Sequence, residues 1–359
     1  MAVELKDLFP NMATGLGRIG FLFGSGTSVD SGYPLLPKLT VDVMSNLTSG
    51  QVDKLNDLVL REIGEEINLE AGEPNIEAIS DVVEAAILTL NTTSPGYTEC
   101  LQIRRDIRDG IVEVFESVDN PAIANHIRFF QAIKRLFAGR HEAVWIFTTN
   151  YDNLFEVAAT IAMVPIVSGF LGNTLGYFHE NTFGYIFGNA EKSRFIPLAY
   201  PIVRLVKLHG SLDWWRDQND ATGVTFCTQK PAQIPFDTDR VIVLPRKKKV
   251  TETLDTPFRE LFRVAEQAIG GNCKYLVSCG FGFGDEHINE ILLLPKLRQG
   301  RIRLTALVND NSIVKPFEEF PSFFYSSESH TGIQGAAEIG TDLWQFDRFV
   351  NLFGEYTGV

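Results

Sequence analysis

Short, near-continuous apolar runs punctuate the chain at Ile19–Phe23, Val144–Thr148, Val203–Leu208, Val241–Leu244, Tyr275–Cys279 and Ile302–Val308. They do not alternate apolar with polar, which is the pattern of strands covered on both faces. Segments of helical period separate several of them. The order predicts an α/β fold: a Rossmann-like, doubly wound, mainly parallel sheet. Between residues 41 and 140 no strand pattern emerges. "VDKLNDLVLREIGEEI" and "NIEAISDVVEAAILTL" read as helices, and "PAIANHIRFFQAIKRLF" repeats apolar residues at Ile123, Ile127, Phe130, Ile133 and Phe137. The spacing predicts a helical insertion over about 46–120, followed by a helix that returns to cover the sheet. A second insertion, over about 166–202, is rich in Gly, Phe and Asn and reads as lid-like. "TDLWQFDRFVNLF" predicts an amphipathic helix that packs on the core or mediates assembly. The expected division is one domain over 1–318 and a C-terminal helical extension over 319–359.

Composition narrows this picture. A chain of 359 residues, 45% hydrophobic with 27 Phe, can bury a large core and is not disordered. Its net charge of −13 disfavours direct, non-specific binding to nucleic acid. The basic run Arg246-Lys247-Lys248-Lys249 reads as a solvated loop, with a phosphate or acidic partner as the alternative. Cys100, Cys227, Cys273 and Cys279 form no CxxC pair, so neither a disulfide framework nor a structural zinc is expected. "MAVELKDLFPNMATG" lacks a cationic region followed by an apolar one, and no run approaches the roughly 20 apolar residues of a membrane span. A soluble cytoplasmic protein, off the membrane, is the expectation.

Four stretches bring polar groups to strand ends. In "FLFGSGTSVDSGYP", Gly24 and Gly26 permit a tight turn and close approach to a ligand. Thr27 and Ser28 are placed to cap a following helix whose N-terminus favours an anion. Val29 stands where the third glycine of GxGxxG belongs, and no ribose-binding acid is obvious about 20 positions on. A plain strand–turn–helix connection fits the same residues. In "VWIFTTNYDNLFE", Asn150 and Asp152 follow a strand; Asp152 serves equally as a helix cap. In "VRLVKLHGSLDWW", His209 can act as a general base or sit as a hydrogen-bonded turn residue. Trp214 and Trp215 wall a pocket or only cover the sheet. In "YLVSCGFGFGDEHINEILLL", Gly280, Gly282 and Gly284 make a second glycine turn, Asp285 caps the helix, and His287 reads as structural. "IRLTALVND" delivers Asn309 and Asp310 to the same edge. One crevice lined by these ends could bind a dinucleotide.

In their order, "GSGTSVDSGYP", "TTNYD", "KLHGSLD", "GFGFGDEHI" and "LVND" resemble the motifs of the sirtuin superfamily. The resemblance implies a sirtuin-like NAD-binding catalytic domain over 1–318. Two departures stand out. The four-cysteine zinc module of the deacylases is missing, since only Cys227 lies between His209 and Cys273, and Leu35-Leu36-Pro37 replaces their acidic–aromatic–Arg segment. The wording is closer to the sirtuin-like domains of bacterial antiphage defence proteins, which hydrolyse NAD+ and deplete it in abortive infection. By that resemblance NAD+ is substrate and no zinc is expected. Asn150 and His209 are catalytic, and Gly24, Ser25, Gly26, Ser28, Asp152, Gly280, Phe281 and Asn309 bind the dinucleotide. Alternatives are an NAD-dependent deacylase or ADP-ribosyltransferase, and a non-catalytic NAD or ADP-ribose sensor; a dehydrogenase fits worst. The stretch after "LVND" is short for a sensor domain, which implies control through a homo-oligomer or a separate HerA-family hexameric ATPase.

Overall fold

The computed structural model describes residue 8 and residues 18–68, 70–139, 143–192, 194–217, 219, 223–228, 238–246, 255–333 and 342–357. The opening stretch apart from Leu8, and Lys247–Lys249 of the basic run, lie outside these residues. The chain divides into two units: residues 1–27, 122–241 and 251–359 form the larger, and residues 28–121 and 242–250 the smaller.

The larger unit is built on a seven-stranded parallel sheet. Its strands are β1 (Ile19–Phe23), β2 (Ala143–Thr148), β3 (Ile166–Val167), β4 (Ile202–Lys207), β5 (Tyr275–Cys279), β6 (Arg303–Leu307) and β7 (Phe323–Ser326). The spatial order is β7-β6-β5-β1-β2-β4-β3. The chain therefore builds outward from β1 in one direction, then returns to its other side at β5, the doubly wound Rossmann-like arrangement. Every residue of β1 is buried, as expected of a strand covered on both faces.

One face holds the main core. Phe21, Phe23, Val144, Ile146, Val203, Leu205 and Val277 meet residues from three helices of this unit. The first helix carries His126, Phe129, Phe130 and Ile133 inward, the second Phe155, Ala158 and Ala159. The third is the amphipathic helix Phe346–Thr357, whose Phe346, Phe349, Val350 and Phe353 recur at helical spacing and are all buried. It packs on the core. The rings interlock, Phe21 and Phe129 edge to face with centroids 5.1 Å apart and Phe23 stacked on Phe155 at 5.1 Å. Burying each such ring contributes about 1.5–3 kcal/mol, which is where much of the phenylalanine content is used.

In the smaller unit lie α1 (Leu36–Asn46), α2 (Ser49–Ile63), α3 (Ile76–Thr89) and α4 (Pro95–Glu116). Local signals set their ends: a Thr48–Gln51 capping box, Asn75 and Ser94 as N-caps, and left-handed Gly64 as C-cap. Helical structure starts at Leu36, earlier than the expected residue 46, because Pro34 and Pro37 mask the apolar spacing of Leu39, Val43 and Met44. Arg246 is buried and lies 3.7 Å from Glu84, so the first residue of the basic run is no part of a solvated loop.

Helices Ala124–Leu136 before β2, Leu154–Ile161 after it and Phe258–Ala268 before β5 belong to the larger unit. Two other expectations change. The apolar run at Val241–Leu244 does not join the parallel sheet: strand Thr238–Ile242 is an edge of a five-stranded sheet with Gly210–Asp217, Thr225–Cys227, Gly176–Phe178 and Phe170–Leu171. The 166–202 segment holds β3, two strands of that sheet, and the hairpin Gly188–Glu191/Arg194–Pro197. Likewise 319–359 is not wholly helical, since β7 pairs with β6 inside the main sheet.

Candidate functional site

β1 and β5 are parallel neighbours, yet the chain leaves them toward opposite sides of the sheet. The crevice outside the carboxyl ends at such a reversal is where open α/β sheets bind ligands. Here the two glycine turns pack backbone to backbone. The Gly24 N–H donates to the Cys279 carbonyl at 3.4 Å, and the Gly26 N–H to that of Gly280 at 3.0 Å. A Cβ on Gly24 would stand 2.6 Å from the Gly280 oxygen, and one on Gly26 2.6 Å from the Gly280 Cα. Gly280 itself has φ +66°, and its Cβ would meet the Thr27 nitrogen at 2.6 Å. These three glycines are thus required by the packing of one turn on the other. Gly282 and Gly284 face open space.

The expected helix after Gly26 is a short 3-10 helix, Ser25–Ser31, and α1 begins only at Leu36. Gly32 at φ +96° and Pro34 stop propagation. Thr27 and Ser28 therefore do not cap an α-helix, and the turn supplies backbone groups without an α-helical dipole behind them. Ser25 is exposed; Ser28 is buried, with its carbonyl accepting from the Tyr33 N–H at 3.2 Å. Thr27 Oγ1 donates to the Gly24 carbonyl at 2.9 Å and accepts from Asn150 Nδ2 at 3.0 Å. This bond ties the end of β2 to the turn after β1.

Asp152, 2% exposed, accepts from the Leu154 N–H at 3.1 Å in an Asx-type turn, whereas the N-cap of helix Leu154–Ile161 is Asn153, one residue later than the cap expected from sequence. Behind it lies Lys207, a residue not singled out from sequence, although a lysine inside the apolar run "VRLVKL" is a signal. It is fully buried. Its Nζ donates to the Asp152 carbonyl at 2.6 Å and to Ser211 Oγ at 2.7 Å, and lies 3.1 Å from Glu156. Burial pushes the Glu156 carboxyl up, and the Lys207 ammonium works against it. The network fixes the loop that carries Asn150 and Asp152.

His209, at the end of β4, is 5% exposed. Its Nε2 lies 3.0 Å from Asp285 Oδ2, and Oδ1 of the same carboxylate accepts from the Ile288 N–H at 3.0 Å. Asp285 therefore caps its helix, as sequence suggests, and also holds His209, which sequence does not reveal. The pair ties the end of β4 to the turn after β5. A carboxylate so placed fixes the orientation of the imidazole. His287 packs on Phe262, ring centroids 4.7 Å apart.

The remaining residues are placed as follows. The Phe281 ring is buried, 5.0 Å from that of Phe283, which in turn meets Phe317 at 5.2 Å; its side chain belongs to this aromatic row, and only its backbone borders the turn. Asn309 is exposed just past β6, its Oδ1 accepting from the Asp310 N–H at 2.9 Å. Trp214 and Trp215 belong to strand Gly210–Asp217, where Trp214 is buried against Phe170 and Trp215 lies under Arg240 at 3.8 Å. Among the described residues no group of three or more His, Cys, Asp or Glu is arranged to hold a metal, and no helix is long and apolar enough to cross a membrane.

The family model described as the SIR2-like domain matches residues 144–305, a span that includes Asn150, Asp152, His209, Gly280, Phe281 and Asp285. Comparison with curated proteins returned no match. Among solved structures the chain is similar to Sir2 in complex with the inhibitor EX-527, 2'-O-acetyl-ADP-ribose and a deacetylated p53 peptide, at 13% identity over 99% of both chains, with a TM-score of 0.45. It is similar also to Sir2Tm bound to a propionylated peptide, at 12% identity over 99% of both chains, with a TM-score of 0.42.

Proposed function

We propose that this sirtuin-like chain, which carries a SIR2-like domain over residues 144–305, hydrolyses NAD+ at the nicotinamide–ribose bond. One observation carries the reading: two buried hydrogen-bonded pairs, Asn150–Thr27 and His209–Asp285, join four strand ends around the point where the sheet reverses.

The chemistry asks little of a general acid. Nicotinamide leaves neutral from a cationic glycosidic nitrogen, and the ribose passes through an oxocarbenium-like state, as in glycoside hydrolysis. Water adds to the anomeric carbon and loses one proton, so NAD+ and water give nicotinamide, ADP-ribose and a proton. Asp285 accepts from Nε2–H of His209, which selects the tautomer with the lone pair on Nδ1. His209 is then the base toward that water or a ribose hydroxyl, a role worth about a hundredfold to ten-thousandfold. Asn150 orients the ribose hydroxyls or the water. Backbone groups of Gly24, Ser25, Gly26 and Ser28 receive the pyrophosphate, with Gly280, the Phe281 backbone and Asn309 toward the adenosine half and Asp152 near the ribose. Depletion of NAD+ in antiphage defence is the role this activity suits. Control by assembly, with copies of itself or with a HerA-family ATPase, is in keeping with the exposed apolar side chains Tyr185, Ile186, Phe187, Phe195 and Ile196.

The test is nicotinamide release from NAD+, measured with the chain alone and with its partner subunit, with and without an acylated peptide. Peptide-independent release that yields ADP-ribose is expected. NAD+ that binds without turnover under all these conditions overturns the reading.

A further inference from the structure

The amino-terminal halves of β2 and β4 carry a second concavity, within the larger unit. Trp145 and Arg204 are register partners on these strands, and the Arg204 guanidinium carbon lies 5.1 Å from the Trp145 ring centroid. With the helix Phe258–Ala268 and the turn Glu180–Gly184 they line a cavity of about 290 Å³. Trp145 is 5% exposed, and its indole Nε1 has no hydrogen-bond partner among the described residues. Arg204 Nε has none either. Burial pushes the Arg204 guanidinium down from its ordinary value. Buried donors beside a cation, without an acceptor, cost stability that an oxyanion would restore.

Arg263 brings a second guanidinium to the lining, paired with Glu180. Two arginines against one glutamate leave the cavity with an excess of positive charge. Asn181, Gln267 and Asn272 add amide side chains, which both donate to and accept from hydroxyl groups. The volume is at the small end for ligand sites, about 300–1,000 Å³, and suits a single phosphorylated sugar better than a dinucleotide.

We propose that this cavity is a second small-molecule site that takes a sugar phosphate, its phosphate on Arg204, Trp145 Nε1 and Arg263 and its hydroxyls on the amides. It lies at the opposite ends of the strands that deliver Asn150 and His209, about 16 Å back along each, and does not depend on the reading of the carboxyl edge.

Isothermal titration of the full chain with ribose 5-phosphate, inorganic phosphate and ribose tests it, with saturating ADP-ribose present to fill the carboxyl edge. Ribose 5-phosphate should bind saturably, at least about tenfold tighter than inorganic phosphate, and ribose should not bind. Arg204→Gln should weaken binding by about tenfold or more. Glu180→Gln should tighten it by releasing Arg263, and Asn150→Ala should leave it unchanged. Matching melting curves establish that the variants fold. No saturable binding, binding lost when ADP-ribose is added, or an affinity indifferent to both Arg204→Gln and Glu180→Gln overturns the proposal.

Discussion

Two buried histidines sit in two regions of the larger unit and have opposite fates. His126 lies in the main core, between Phe155 at 4.9 Å and Phe346 at 4.8 Å, and neither ring nitrogen has a hydrogen-bond partner among the described residues. Burial pushes it down to about 3, so it stays neutral near pH 7 and behaves as an aromatic filler. His209 is almost equally buried, but it ends a parallel strand at the sheet's carboxyl edge and meets Asp285 at 3.0 Å. Burial alone does not separate the two; the partner and the place on the sheet do.

The contrast can be broken most sharply at His209. His209→Ala should cut nicotinamide release by about a hundredfold to ten-thousandfold while circular dichroism shows the fold retained. Full activity would return His209 to a structural role. Next comes its partner. Asp285→Asn keeps an oxygen for the Ile288 cap but removes the charge, and should cost about tenfold to a hundredfold in kcat, the worth of one charged hydrogen bond.

Glycine positions extend the comparison to stability. Gly280→Ala forces a Cβ to 2.6 Å from the Thr27 nitrogen at φ +66° and should cost about 1–3 kcal/mol in denaturant unfolding. Gly282→Ala faces open space and should stay within about 0.5 kcal/mol. Equal effects at the two positions would remove the turn-on-turn packing from the account.

The smallest effect near neutrality belongs to His126. Below 6.5 the unfolded chain takes a proton on this residue, whereas the folded chain resists it down to about 3. The contribution is therefore whole above about 6.5 and is lost as pH falls toward 3, by about 1.4 kcal/mol per pH unit. His126→Phe should flatten this part of the stability profile and leave nicotinamide release unchanged. An unaltered slope would mean that His126 accepts a proton in the fold.

Much of this was legible in the chain because burial on both faces writes itself as continuous apolar runs. β1, β2, β4, β5 and β6 all lie in such runs, and each is followed within three residues by a glycine or polar residue of the candidate site. β3 has two residues and β7 has four, "FFYS", too short for any period to register. Val241–Leu244 has the same apolar look as the parallel strands and belongs to the other sheet, since local sequence does not encode which strand is the neighbour. The glycines were visible, but not that they serve each other. The Asp285 side chain was visible as a cap; its second oxygen holds a residue distant in sequence, a relation that only the topology creates. Lys207 was hidden for the opposite reason: its ammonium is met by Glu156 and by carbonyls of a loop that the sequence does not place beside it.

Under the proposed function, the His209–Asp285 pair at the carboxyl edge drives cleavage of NAD+. Its most direct test is the rate of nicotinamide release by the wild-type chain and by His209→Ala under identical activating conditions. ADP-ribose and nicotinamide in equal amounts are expected from the wild type, with a loss of at least about a hundredfold in the variant. Equal rates from the two proteins would contradict it.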